Sequence, residues 1–346
     1  MRRTLALNKA SDRVCNVKLR GLATAASQPL FPDDRLMTAP LKRVLQRTVA
    51  LLCSAALIVW FLHSAHPENL TLLVSRVQPL ELLGLIGAFV LTYLLRAGRV
   101  FDEFRVGTGA SYLAILRLTL VHNAMVNVVP FRGGEAAFPI LLSRWFGVPT
   151  TRAVAALLWL RLQDAFVVLA LAAFVWPGPP MVLRILWVAV VVLAAWAIPK
   201  WARNHPQALP DHGRFARLSI KLRAALAEST KSSGRAWGWT FANWSVKLAA
   251  QAWMLAMLLG VSLQAGLAGA MGLELAAVQP IQGVAGFGTA EFGGAALLRT
   301  HGIMLADGVQ AALVLHLFVI ACALCAGAAA VAFLPGANKT STDNTP

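Results

Sequence analysis

Apolar residues dominate six stretches of the chain, 48–64, 80–95, 153–175, 182–199, 237–263 and 303–334, and each is near the length that carries a helix across a hydrocarbon core. Two further stretches, 109–152 and 265–301, follow another pattern: an apolar helix, a break, and a short apolar return. The first break is Pro130-Phe131-Arg132-Gly133-Gly134-Glu135, and the second runs from Pro280 through Gly283, Gly286 and Gly288 to Glu291. The return 135–146 offers about 12 residues where a full crossing needs roughly 20 at about 1.5 Å per residue. The pattern therefore predicts re-entrant hairpins with tips at 130–134 and 283–288. The fold class expected is an all-α polytopic membrane protein with six full spans and two re-entrant helical hairpins.

The two breaks are weak copies of one another. Glu135 and Glu291 are each followed by a Leu-Leu pair, 141–142 and 297–298, then by an arginine, Arg144 and Arg299, and a glycine, Gly147 and Gly302, the second copy running one residue shorter. The halves 80–175 and 237–334 would each read span, hairpin, span, in opposite orientation. That is an inverted-topology repeat, a device in which broken helices meet near the midplane. Irregular backbone at that depth is tolerated where it is buried in protein or lines a wet cavity.

Composition agrees with the pattern: of 346 residues 58% are hydrophobic and 13% charged, which excludes an ordinary soluble core. The formal charge of +16, from 31 Lys and Arg against 15 Asp and Glu, fits cytoplasmic loops on anionic lipid better than a nucleic-acid partner. Arg96, Arg99 and Arg105, with Asp102 and Glu103, read as one such loop, and 200–235, rich in Lys and Arg, as a second. The uncharged segment 176–180 reads as external, which places both termini in the cytoplasm. Within the second loop, 215–227 is basic and amphipathic enough to lie on the inner leaflet. Residues 1–46 form a basic tail without a signal-peptide pattern, with Met1 and Met37 both open as the start, and 335–346 form a polar tail. Cys53, Cys322 and Cys325 lie in apolar stretches and read as core-filling.

Candidate chemistry gathers around the breaks. The short helices begin near Gly134 and Thr289, inside the membrane, so their free N–H groups and positive dipole ends favour anions. Arg132 and Arg161 are suited to grip a phosphate with a guanidinium fork. The plainer reading is that Glu135 and Glu291 cap those dipoles while Arg132 pairs with Glu135. Arg161 and Asp164, three apart on a span, share a face and can neutralise each other, since a lone mid-span charge costs at least about 2.5 kcal/mol. Lys247 and Asn243 either face the same cavity or leave the lysine to snorkel to the interface, and snorkelling is the reading preferred. His122 and His316 are single histidines without a second ligand at metal spacing. Gly286 and Gly288 lack the strand that a dinucleotide site requires, and Gly266, Gly269 and Gly272 favour close helix packing.

These residues resemble the transmembrane-region family of lysylphosphatidylglycerol synthase, over roughly 75–334. Its first signature is matched by Asn127, Pro130, Arg132, Gly134, Glu135, Arg161 and Asp164, and its second by Gly286, Gly288 and Glu291. Leu160 and Val284-Ala285 depart from the usual pattern. The resemblance implies the translocating half without the aminoacyl-transferring domain. The function expected is transfer of an anionic lipid or lipid-linked precursor between leaflets of a bacterial inner membrane. Arg132, Gly134, Glu135, Arg161, Asp164, Gly286, Gly288 and Glu291 would form the substrate site, with no enzyme activity, cofactor, metal or nucleic acid. The alternatives are an intramembrane lipid-modifying enzyme using Glu135 and Glu291, and a scaffold for lipid-synthesis partners.

Overall fold

The structure is a computed structural model that describes residues 75–129, 133–175, 178–204, 220, 223–224, 226–227, 233–278 and 286–335. Among the described residues every regular element is helical. They are α1 (Pro79–Thr108), α2 (Tyr112–Val128), a 3-10 turn (Gly133–Ala136), α3 (Ala137–Phe146), α4 (Thr150–Val175), α5 (Met181–Asn204), α6 (Ser233–Leu259), α7 (Leu263–Val278), α8 (Thr289–Arg299) and α9 (Leu305–Phe333). Local signals set their ends. Pro79 opens α1 where its missing N–H is not needed, and the Glu81 carboxylate accepts the Gln78 N–H at 2.8 Å. The Ser111 hydroxyl accepts the Ala114 N–H to start α2.

α1, α4, α5 and α9 are each long and apolar enough to cross a membrane, and α6 and α7 qualify together as a pair bent by 118° at their break. The chain is a multi-pass helical membrane protein. The predicted span 48–64, the parts 130–132 and 283–285 of the predicted tips, and most of 215–227 lie outside the described residues. α3 has 10 residues and α8 has 11. At about 1.5 Å per residue each reaches roughly half of a hydrocarbon core about 30 Å thick.

One predicted boundary is wrong. The second span does not end at 95 with a loop after it, because α1 continues through Arg96 and Arg99 to Thr108. In sequence the first arginine after an apolar run marks the membrane surface, since a guanidinium facing lipid is costly. Arg99 instead points inward and is 4% exposed. The true charged end comes later, where Asp102 accepts the Trp239 indole N–H at 2.8 Å and lies 3.7 Å from Arg235, joining α1 to α6.

The main core joins Phe89 of α1, Val168 of α4, Leu255 of α6, Met271 of α7 and Leu315 of α9. A second cluster places Phe104, Ile115, Phe138 and Leu142 under the first hairpin. Burying such side chains contributes about 1.5–3 kcal/mol each in water. Between helices in lipid, shape complementarity takes over as the source of contact energy. α7 shows it: a Cβ at Gly272 would meet the Gly293 carbonyl of α8 at 2.2 Å, and one at Gly266 the Ala252 carbonyl of α6 at 2.2 Å. α5 does the opposite, packing along α4 while Ile185, Trp187, Val192 and Trp196 stay exposed on a lipid-facing surface. Cys322 packs against the core as expected, but Cys325 is exposed.

Candidate functional site

A cavity of about 550 Å³ lies between α1, α2, α4, α6, α7 and α9, with Glu135 of the 3-10 turn on its wall. The turn is held there by close backbone contact. A Cβ on Gly134 would lie 2.2 Å from the Met125 carbonyl and 2.5 Å from the Val126 Cα, so only glycine lets the turn rest on the last turn of α2. Gly134→Ala is therefore expected to lower stability by about 1–3 kcal/mol through overpacking, read as an earlier thermal unfolding transition in detergent.

From that turn Glu135 reaches across to α4. Arg161 donates from Nη2 to Oε1 at 2.6 Å and from Nε to Oε2 at 3.2 Å, a two-pronged bond that fixes both planes. Arg161 Nη1 also lies 3.4 Å from Asp164 Oδ2. The closer partner of Asp164 is Arg99, whose Nη1 is 2.6 Å from Oδ1, and the Trp244 indole donates to the same oxygen at 3.0 Å. Arg99 further donates from Nη2 to the Gln163 side chain at 3.0 Å and to the Leu160 carbonyl. The His122 ring lies behind Glu135, with Nε2 3.7 Å from Oε2. Two arginines and two carboxylates thus form one chain of charge across α1, α4 and the turn.

Arg96 is different. It lines the cavity and donates from Nη1 to the Asn123 side-chain oxygen at 3.0 Å, a neutral acceptor. Among the described residues no carboxylate lies within salt-bridge distance of it. Asn127, a signature residue, also lines the cavity, and its amide donates to the Asn123 carbonyl at 2.8 Å.

On the opposite wall Lys247 of α6 contacts Glu274 of α7 at 2.6 Å, and the Gln251 amide donates to the same carboxylate oxygen at 2.7 Å. The lysine does not snorkel outward, because Glu274 gives it a partner 5% exposed inside the bundle. Glu291, at the start of α8, is 2% exposed and takes two bonds: the Gly288 N–H at 2.7 Å and the His316 Nδ1 of α9 at 2.6 Å. The Phe287 ring lies 4.7 Å from the His316 ring. Gly286 and Gly288 have φ of 87° and 82°, values that side chains rarely adopt, so backbone shape alone accounts for both glycines.

Of the predicted site residues, Glu135, Arg161, Asp164 and Gly286 line the cavity. Gly134 and Glu291 are buried and hold the walls in place, Gly288 serves the turn, and Arg132 lies outside the described residues. Arg96, Arg99, Asn123, Gln251 and Glu274 were missed. The two arginines sit three apart in an apolar helix, one helical face, which is the signal that a span continues inward of them.

Residues 47–327, most of the chain, match the sequence pattern described as Lysylphosphatidylglycerol synthase TM region, which begins ahead of the 75–334 stretch that carries the resemblance. The chain belongs to this family. No curated protein and no solved structure matches it. In this lysylphosphatidylglycerol synthase TM-region protein, the first signature falls at the Glu135 wall and the second at the Glu291 turn. Exposed apolar helix faces, paired interior charges and a cavity with both charged and apolar lining residues accompany its multi-pass architecture.

Proposed function

We propose that this protein moves an anionic lipid, or a lipid-linked precursor, between the leaflets of a bacterial cell membrane by alternating access to the central cavity. Arg96 carries the reading: a guanidinium on the cavity wall, held among the described residues by neutral Asn123, has donors left for a phosphate. The apolar part of the lining, with Leu157, Leu158 and Val168, suits acyl or isoprenoid chains beside the head group. No covalent step is required of the site, since Glu135 is held by Arg161, and Glu291 by His316 and a backbone N–H. The test is reorientation of fluorescent phosphatidylglycerol in vesicles containing only this protein. Accelerated, saturable reorientation is expected, and a rate equal to protein-free vesicles overturns the proposal.

The two halves are read as inverted, with both termini cytoplasmic. The support is the pair of short helices, α3 and α8, each following a break and ending in the same Leu-Leu, Arg, Gly sequence. Cysteines placed at half-buried Ser143 and exposed Thr300 are expected to label from opposite sides of the membrane. Labelling of both from one side sinks the inversion.

A further inference from the structure

The two copies of the repeat differ at one chemically decisive place. Glu135 is bonded to Arg161, 26 residues on, and Glu291 to His316, 25 residues on, and the one-residue difference is the one already seen between the copies. Counted from the glycine after each short helix the spacing is equal, since 161 − 147 = 14 and 316 − 302 = 14. His316 is therefore the repeat counterpart of Arg161: each partner sits on the helix that follows the short one and grips the glutamate of the break. One half holds its glutamate with a permanent cation. The other uses an imidazole, whose charge changes between pH 5 and 8 in ordinary surroundings.

We propose that the His316–Glu291 pair is a proton-binding site of the cavity, and that its proton binds together with the anionic head group. The proposal rests on the lipid reading above and names its coupling ion. Nδ1 faces Glu291 Oε1, and His316 lines the cavity, so a proton from cavity water adds to the imidazole and returns there on release. The groups around it set the sign. Arg96 on α1, Lys247 on α6 and Glu274 on α7 line the same cavity, Glu291 on α8 touches the ring, and His122 lies on α2 beside Glu135. With both imidazoles neutral, among the described residues Arg96, Arg99, Arg161 and Lys247 balance Glu135, Asp164, Glu274 and Glu291. One proton on His316 leaves a single positive charge for an arriving phosphate. Linkage makes the effect mutual, so each ligand strengthens the binding of the other by the same factor.

The experiment measures binding of short-chain phosphatidylglycerol to the purified full chain in nanodiscs of zwitterionic lipid between pH 8 and 5.5, with proton uptake followed by an indicator dye in weak buffer. Wild type is expected to bind about tenfold more tightly at the acid end and to take up protons on binding. His316→Gln should bind at the alkaline wild-type level at every pH without proton uptake. His316→Arg, which installs the residue of the other half, should bind at the acid level throughout. His122→Gln should keep the wild-type profile. Binding by wild type that is independent of pH, a pH profile that survives in His316→Gln, or one that disappears in His122→Gln overturns the proton site while leaving the lipid reading intact. No binding at any pH overturns the lipid reading and the proton site with it. Should the arginine variant fail to fold, proton uptake by wild type against His316→Gln decides alone.

Discussion

Asp164→Asn is expected to destabilise the protein by about 3–5 kcal/mol, the largest effect of any single substitution considered, because it removes one partner of a buried ion pair. Arg99, 2.6 Å from Asp164 and 4% exposed, keeps its charge and loses its only carboxylate among the described residues. Arg161 loses its second carboxylate, and the Trp244 indole is left with a neutral amide oxygen in place of a carboxylate. The double change Arg99→Gln with Asp164→Asn should recover much of the loss, since no charge is then stranded between α1 and α4. Thermal unfolding of the three variants in one detergent is the measurement. A single variant as stable as wild type would show that the network does not hold the helices together.

Arg96→Gln is expected to do the reverse, leaving stability near wild type while weakening anionic lipid binding about 10- to 100-fold, the worth of a charge-assisted hydrogen bond of about 1.5–3 kcal/mol. The reason is the asymmetry between the two arginines of α1. Arg99 has a carboxylate and Arg96 has an amide, so removing the charge of Arg96 strands nothing. Glutamine keeps a donor for Asn123, and it lifts the cost of holding a charge on the cavity wall. Loss of stability without loss of binding would assign Arg96 to the scaffold.

Much of this was legible along the chain because lipid constrains sequence so strongly. Spans, breaks and the short helices follow from length and apolarity, and α4, α5 and α9 begin and end within a few residues of the predicted positions, apart from an extension of α5 to Asn204. What was not legible is which way a charge points. Arg96 and Arg99 looked like a membrane surface, and Lys247 like a snorkelling end, because each was judged without the helix that faces it. Asp164 and Glu274 are the partners that turn Arg99 and Lys247 inward, 65 and 27 residues away, as 164 − 99 and 274 − 247 show. Arg161 and Asp164 looked like a self-contained pair, but Glu135 takes most of Arg161 from another element. Helical spacing says which residues share a face, and only packing decides what that face meets.

The contact of Gly272 with Gly293 has a mechanical meaning. Where α7 and α8 touch backbone to backbone, no side chain is present that could change rotamer and let one helix slide along the other. The antiparallel pair is stiff, a lever of two rods pinned along their length. The same close approach recurs where Gly266 rests on the Ala252 carbonyl, so the pair is braced against α6 across the 118° bend as well. Glu291 belongs to that rigid pair, while His316 stands on α9. Their 2.6 Å bond therefore ties the stiff pair to α9 at the N-terminal end of α8, the end remote from the 300–304 connection.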